Sequence, residues 1–461
     1  MNNIILTTDS YKVSHYKQYP PNTTEIYSYF ESRGGRFQEV VFFGLQYLLK
    51  EYLEGEVVTS QIIAEAEALY GAHFGNPTLF NRAGWEHILT KHKGRLPVSI
   101  YAAPEGLPVP THNVMMTIQN TDPACYWLTN FLETLLVQVW YGCTVATLSR
   151  EIKKRITAHL QETGDPALID FKLHDFGFRG VSSVEAAGIG GAAHLVNFMG
   201  TDTIAALRHI QTYYNTDKCY GFSIPAAEHS TITSWGKENE ARAYENMLTQ
   251  YPEGLVAVVS DSYDIYNACD ALWGGVLKEK VLERKGTLVV RPDSGKPSEV
   301  VLKVMEILGS KFSTETNAKG YKVLHPNVRV IQGDGVDYDS IGEILDVLKA
   351  HGWSADNIAF GMGGALLQKL DRDTQKFAFK CSAAVVGGEE RDVFKQPITD
   401  SGKNSKRGRL KLIRTENGTM TTVAANVQSE NQGENILQKV FENGVITREY
   451  TFDEVKKNAS I

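Results

Sequence analysis

Apolar residues recur in two rhythms along the chain. Between about residues 150 and 385, short apolar runs end in Asp, Gly or Arg, and each is followed by a stretch with helical periodicity. The runs are 168–174, 194–198, 220–225, 255–260, 287–290, 328–331 and 357–360. Strands alternating with helices predict right-handed βαβ units and a parallel sheet. So many units in succession fit a closed barrel better than a short open sheet. Before about residue 150 the texture is mixed. Helical patterns flank a β-rich stretch, 96–121, whose prolines predict edge strands and turns. After about residue 386 the chain is basic at first, through 403–411, and then strand-like near 408–413 and 448–452. The predicted fold class is α/β: an irregular parallel α/β barrel over 151–385, plus an α+β domain built from the N-terminal region (1–150) and the C-terminal region (386–461), which packs back on it.

Two patterns invite other readings and are set aside. The most apolar window, 126–148, contains Asn130, Glu133 and Gln138, which suits a buried core helix better than a bilayer span. Gly188-Ile189-Gly190-Gly191 has the look of a dinucleotide-binding loop, but it falls inside a helical pattern and not after a strand.

Composition narrows the picture. With 461 residues, 42% of them hydrophobic, the chain can bury a large core in two or three domains. Asp plus Glu outnumber Lys plus Arg, 54 to 47, for a net charge of -7. Such a balance argues against nucleic acid as a partner but leaves room for a local basic pocket. The five cysteines form no CxxC pair, and the N-terminus carries no signal-peptide pattern. Reduced thiols in a cytoplasmic protein, with no membrane association, are expected. The sequence also lacks GxxxxGK[ST], HExxH and GxSxG, which argues against a P-loop, a zinc site and a hydrolase nucleophile.

The chemistry gathers at the predicted strand ends. In order these read His174-Asp175-Phe176-Gly177-Phe178-Arg179, Gly200-Thr201-Asp202, Glu228-His229-Ser230, Ser260-Asp261, Arg291-Pro292-Asp293, Gln332-Gly333-Asp334 and Gly361-Met362-Gly363-Gly364. In a parallel barrel these residues share one face. Glycines there let backbone N–H groups approach phosphate, arginines match phosphate with a planar fork, and carboxylates suit ribose hydroxyls or Mg2+. Any one of them alone would be an ordinary turn, cap or structural histidine. Their convergence on one face is what points to a phosphorylated sugar.

These stretches, together with Thr8-Asp9-Ser10-Tyr11-Lys12-Val13 and Pro225-Ala226-Ala227-Glu228-His229-Ser230-Thr231, resemble the nicotinamide phosphoribosyltransferases, within the type II phosphoribosyltransferase family, almost end to end. The resemblance implies transfer of a phosphoribosyl group from phosphoribosyl pyrophosphate to nicotinamide in NAD salvage, by a head-to-tail homodimer with shared active sites. It implies that the pyridine ring stacks between Phe176 and Tyr11 of the other subunit, that Asp202 reads the amide, and that Arg179 lies near the ring. It implies sugar and phosphate contacts from Arg291, Asp293, Gly333, Asp334, Gly363 and Gly364, and from Arg33, Arg372, Lys380 and Lys395 of the second subunit. It implies Mg2+ as cofactor, with ligands unknown, and ATP as a coupled co-substrate that phosphorylates His229 beside Asp261. His229, Asp293, Asp261 and Arg291 are the catalytic candidates. Ala378, two residues before Lys380, departs from relatives that place a hydroxyl there. A nicotinate-specific enzyme, or a non-catalytic binding protein on the same scaffold, remain as alternatives.

Overall fold

The computed structural model describes residues 3–399, 404–425 and 433–460; Lys403 of the basic run 403–411 lies outside them. The chain divides into two compact units. One comprises residues 1–147, 210–216 and 371–460, and the other 148–209 and 217–370.

The first unit is organised by a seven-stranded antiparallel sheet. From edge to edge its strands are Glu389–Asp392, Phe377–Val386, Thr23–Ser32, Val114–Asn120, Val98–Ala102, Gln438–Glu442 and Val445–Ile446. N-terminal strands thus form the centre and C-terminal strands extend both sides. Thr23–Ser32 is buried on both faces, with Tyr29 and Phe30 fully enclosed, because it has a neighbour on each side and helices across it. Phe30 stacks on Phe377 of the adjoining strand at 5.2 Å. The edge-strand expectation for 96–121 does not hold: Val98–Ala102 and Val114–Asn120 are interior strands. The prolines lie outside them, with Pro108 and Pro110 in a separate two-stranded pairing with Glu39–Val41. The strand expected near 448–452 is also absent. That segment runs irregularly into the helix Phe452–Asn458, whose Thr451 cap and Glu454 form a reciprocal capping box.

The second unit contains a six-stranded parallel sheet in the order Gly200–Thr201, Leu173–Asp175, Ile358–Met362, Val328–Gln332, Lys285–Arg291, Glu253–Val259. The helices Val184–Leu195, Glu240–Gln250, Pro297–Phe312 and Tyr338–Ala350 alternate with the strands, and Pro297 and the Asp337 capping box set two of their starts. The segment 220–225, expected as a strand, is not one. It meets the two edge strands through isolated parallel bridges, Gly200 with Phe222 and Ala226 with Ala257. These bridges close the curled sheet into an irregular barrel. Ala257, Val289 and Ile331 fill its interior, with Phe176, Ile224 and Ala359 packed against them. The run 194–198 belongs to the end of the helix Val184–Leu195 and the turn beyond it. Its His194 is fully buried, 3.0 Å from Ser149 Oγ through Nδ1, and the strand starts later, at Gly200. Likewise 168–174 begins as the 3-10 turn Pro166–Phe171. At the base of the Leu173–Asp175 strand, buried Lys172 donates from Nζ to the carbonyls of Ala355, Asp356 and Ile358 at 2.8–3.0 Å. The apolar stretch Pro123–Thr163 has the length and hydropathy of a membrane span, and 67% of its most apolar window is buried in the protein.

Candidate active site

In a parallel barrel every strand delivers its C-terminal residues to the same rim. Here that rim surrounds an open cavity of about 1000 Å³, lined by Phe176, Arg179, Asp202, His229, Arg291, Asp293, Gly333, Asp334, Gly363 and Gly364 among others.

Phe176 forms the floor. Its backbone N–H donates to the Met362 carbonyl at 3.0 Å, which fixes the turn after the first strand. Its ring lies directly on Gly361: a Cβ there would fall 1.9 Å from the ring, and one at Gly333 would fall 3.3 Å from it. Glycine at these strand ends is therefore what lets an aromatic ring lie flat across the barrel mouth. Arg179 is exposed in the short turn Phe178–Gly180.

Asp202 follows the short edge strand and is anchored by its own N–H, which donates to the Asp175 carbonyl at 3.0 Å. Its Oδ1 lies 2.9 Å from His174 Nε2 and accepts a short hydrogen bond from Ser223 Oγ. Both contacts fall on Oδ1; Oδ2 has no hydrogen-bond partner among the described residues. Burial alone would push the Asp202 carboxyl up, but the contacts from His174 and Ser223 and the charge of Arg291 bring it below the ordinary value. The site thus holds a fixed carboxylate that retains acceptor capacity.

On another wall, His229 begins the helix His229–Thr233, whose cap Glu228 and Thr231 exchange hydrogen bonds. Its Nε2 is 2.9 Å from Asp261 Oδ1; the histidine side chain is 47% exposed and the aspartate 5%. A carboxylate at Nε2 holds the proton there and leaves the lone pair on the other ring nitrogen. Asp261 therefore stands behind His229 and orients it.

Between these walls, Arg291 Nε is 3.8 Å from Asp293 Oδ1 and is buried without a hydrogen-bond partner among the described residues. Burial raises the Asp293 carboxyl, and repulsion from Asp261 and Asp334 adds to it, outweighing Arg291 and His229. Gly363 precedes a single helical turn, Gly364–Leu367, and the space beside Gly364 is open.

The remaining predicted residues belong to the first unit. Tyr11, in the 3-10 segment Ser10–Lys17, is 59% exposed and meets His15 edge-on at 4.9 Å. Arg33 ends the Thr23–Ser32 strand. Its Nε donates to buried Glu31 at 2.8 Å, while Nη2 is buried with no hydrogen-bond partner among the described residues. Lys380 is paired in register with Tyr29. Burial lowers its pKa, and the charges of Arg33, Lys395 and Arg372 lower it further against the pull of Glu133. The other three predicted phosphate-binding cations therefore all act on Lys380.

Two contributors, His174 and Ser223, are absent from the candidates read from sequence. His174 was visible as the first residue of a recognised stretch. Ser223 lies in the irregular closing segment, where no periodicity marks its orientation.

The model of the nicotinate phosphoribosyltransferase (NAPRTase) family matches residues 171–445, and that of the nicotinamide phosphoribosyltransferase N-terminal domain matches residues 3–100. The chain is 52% identical to a nicotinamide phosphoribosyltransferase of Xanthomonas campestris, over 100% of this chain and 98% of that protein. It is 33% identical to one of Acinetobacter baylyi, over 97% and 95%. In fold it is similar to the crystal structure of nicotinate-nucleotide pyrophosphorylase from Pyrococcus furiosus, with TM-score 0.63 and 17% identity over 99% of this chain and 95% of that one. It is also similar to that of human nicotinic acid phosphoribosyltransferase, with TM-score 0.58 and 14% identity over 98% and 93%.

Proposed function

The chain belongs to the nicotinamide phosphoribosyltransferase family, and from that membership we propose that it transfers the 5-phosphoribosyl group of phosphoribosyl pyrophosphate to nicotinamide, giving nicotinamide mononucleotide and pyrophosphate for NAD salvage. The observation that carries the choice of base is Asp202. A carboxylate held by His174 and Ser223, with Oδ2 to spare, accepts from the amide NH2 of nicotinamide and repels the carboxylate of nicotinate.

The reaction forms a bond from the pyridine nitrogen to ribose C1 while the bond from C1 to the pyrophosphate oxygen breaks. The nitrogen is neutral and needs no base, so the protein's work is orientation and stabilisation of charge. Phe176 holds the ring, and Arg291 and Arg179 offer positive charge at the rim. In a homodimer, Tyr11 of a second copy supplies the other stacking face, and its Arg33, Arg372, Lys380 and Lys395 take the phosphates. The exposure of Tyr11 and the unpaired Nη2 of Arg33 support that reading. Mg2+ fits the rim because a hard cation would favour the ionised form of Asp293, which burial and the neighbouring carboxylates of Asp261 and Asp334 disfavour. Asp293 and Asp334 would hold it, and when bound it supplies positive charge to the leaving pyrophosphate.

ATP enters through His229. Its free ring nitrogen attacks the γ-phosphorus as the bond to ADP breaks, and water later releases phosphate and restores the histidine. The half-exposed ring backed by Asp261 supports this role.

The test is product analysis of the purified protein given phosphoribosyl pyrophosphate, Mg2+ and equimolar nicotinamide and nicotinate, with and without ATP. Nicotinamide mononucleotide is expected to dominate and to rise with ATP. Predominance of nicotinic acid mononucleotide would overturn the reading of Asp202. His229→Ala is expected to lose the ATP stimulation and keep a slow basal reaction; stimulation equal to wild type would remove His229 from that role.

A further inference from the structure

The first unit contains a second cluster of chemically capable side chains, which shares no residue with the rim. His87 lies on the helix Arg82–Lys91 and His92 follows its last residue. Asp122 caps the 3-10 turn Pro123–Cys125, which Cys125 ends. Folding brings these two short stretches together, and one ligand atom from each of the four residues lies within 4.8 Å of every other. Neither spacing matches a familiar metal motif, so no local pattern marks the cluster.

The arrangement has a definite centre. Asp122 Oδ1 is occupied by the Ala124 N–H at 2.9 Å, which fixes the carboxylate. Its Oδ2 faces His87 Nε2 at 2.9 Å, His92 Nε2 at 2.7 Å and Lys91 Nζ at 3.2 Å. Three basic groups thus converge on a single oxygen, at the centre of the four residues. Cys125 is fully buried on the inner side of this point, while His87 and His92 are 31% and 22% exposed on the outer side.

We propose that His87, His92, Asp122 and Cys125 bind a divalent transition-metal ion of the zinc class, through two imidazole nitrogens, one carboxylate oxygen and one thiolate. This mixed N, O and S set suits a borderline-soft ion and not Mg2+ or Ca2+. Two neutral imidazoles, a carboxylate and a thiolate carry two negative charges, which a divalent ion balances. Tetrahedral ligation with bonds near 2.0–2.3 Å separates ligand atoms by roughly 3.3–3.7 Å. The histidine–carboxylate contacts therefore open by less than about 1 Å on binding. Lys91, 61% exposed, is free to swing into solvent as the ion replaces it beside Oδ2. The Cys125 thiol proton passes to solvent as the metal–sulfur bond forms. Four protein ligands leave no open position, so the ion is structural: it ties the end of the helix Arg82–Lys91 to the turn that leaves the central sheet.

The test uses the full-length protein, free of any histidine tag and stripped with a chelator, then titrated with Co2+ alone. One equivalent is expected to give the intense visible bands of tetrahedral Co2+ and a thiolate charge-transfer band, both displaced by Zn2+. Cys125→Ser should lose the charge-transfer band. His87→Gln, at a partly exposed position that keeps the fold, should weaken Co2+ binding at least about tenfold, in keeping with removal of a metal ligand. Absence of a tetrahedral spectrum in the wild type would overturn the site. Bands unchanged in both variants would also overturn it, by placing the ion elsewhere.

Discussion

The two units gather charge in opposite senses. The barrel rim collects Asp202, Asp293 and Asp334, with Asp261 behind them, around Arg291 and Arg179. The antiparallel unit collects Arg33, Arg372, Lys380 and Lys395 beside Glu31. Each collection strains toward neutrality: Asp293 is pushed up by burial, with repulsion from neighbouring acids adding to it, and Lys380 is pushed down by burial and neighbouring bases. Net charge, -7 for the whole chain, therefore says little about what either unit binds. A polyanion matches the second collection, and a base, a sugar or a hard cation matches the first.

The sharpest way to break this division is Arg33→Ala. Removing a partly buried, charge-paired guanidinium costs about 2–5 kcal/mol when its partner is an anion. A fall of about 100-fold in kcat/KM for phosphoribosyl pyrophosphate is expected, with the nicotinamide KM changed by less than about twofold. Equal losses for both substrates would refute a division of labour. The mirror experiment on the rim is Gly361→Ala. Its methyl would displace the Phe176 ring, and overpacking of this kind costs about 1–3 kcal/mol. Steady-state kinetics should show the nicotinamide KM raised by roughly tenfold or more, while the pyrophosphate substrate is bound as before.

Smaller still is the effect of Asp202→Asn, expected to narrow the preference for nicotinamide over nicotinate by about tenfold, the scale of one charged hydrogen bond. Its pH dependence has a definite sign. The folded pKa of Asp202 is depressed, so its ionised form, and the stability it contributes, persist above the unfolded value and are lost only as pH falls through the folded one. Competition assays should therefore give the same base preference at about pH 8 and about pH 5.5, both above the ordinary carboxylate range. A preference that already decays in that interval would contradict the hydrogen bonding at Oδ1.

Much of the barrel was legible in the chain. The runs 255–260, 287–290, 328–331 and 357–360 are short, the first three rich in β-branched residues, and are followed by helical periodicity, so strand, helix and rim could all be inferred. What was illegible depends on long-range closure. His194 reads as part of an apolar run but completes a helix, because its ring bonds Ser149 across the packing. Phe377–Val386 reads as the end of the barrel series but pairs with Thr23–Ser32, more than 300 residues earlier. The grouping of Arg33 with Lys380 follows from that pairing and from no local pattern. His87 and Asp122 meet for a similar reason, by tertiary approach of two unremarkable stretches.

The segment that closes the barrel is fastened lightly. Among the described residues, four backbone hydrogen bonds, involving Phe222, Pro225 and Ala227, join it to its two neighbours, whereas Glu253–Val259 pairs with Lys285–Arg291 at seven positions. A wall sealed this sparsely is expected to open at lower free energy than the rest of the barrel sheet, with its amides exchanging with deuterated water before those of Glu253–Val259. Yet it carries Ser223, which donates to Asp202, and leads directly into Glu228 and His229. On the proposed function the seam would act as an occupancy gauge: nicotinamide engaging Asp202 should slow exchange across 221–227, and the same slowing would tighten the approach to His229.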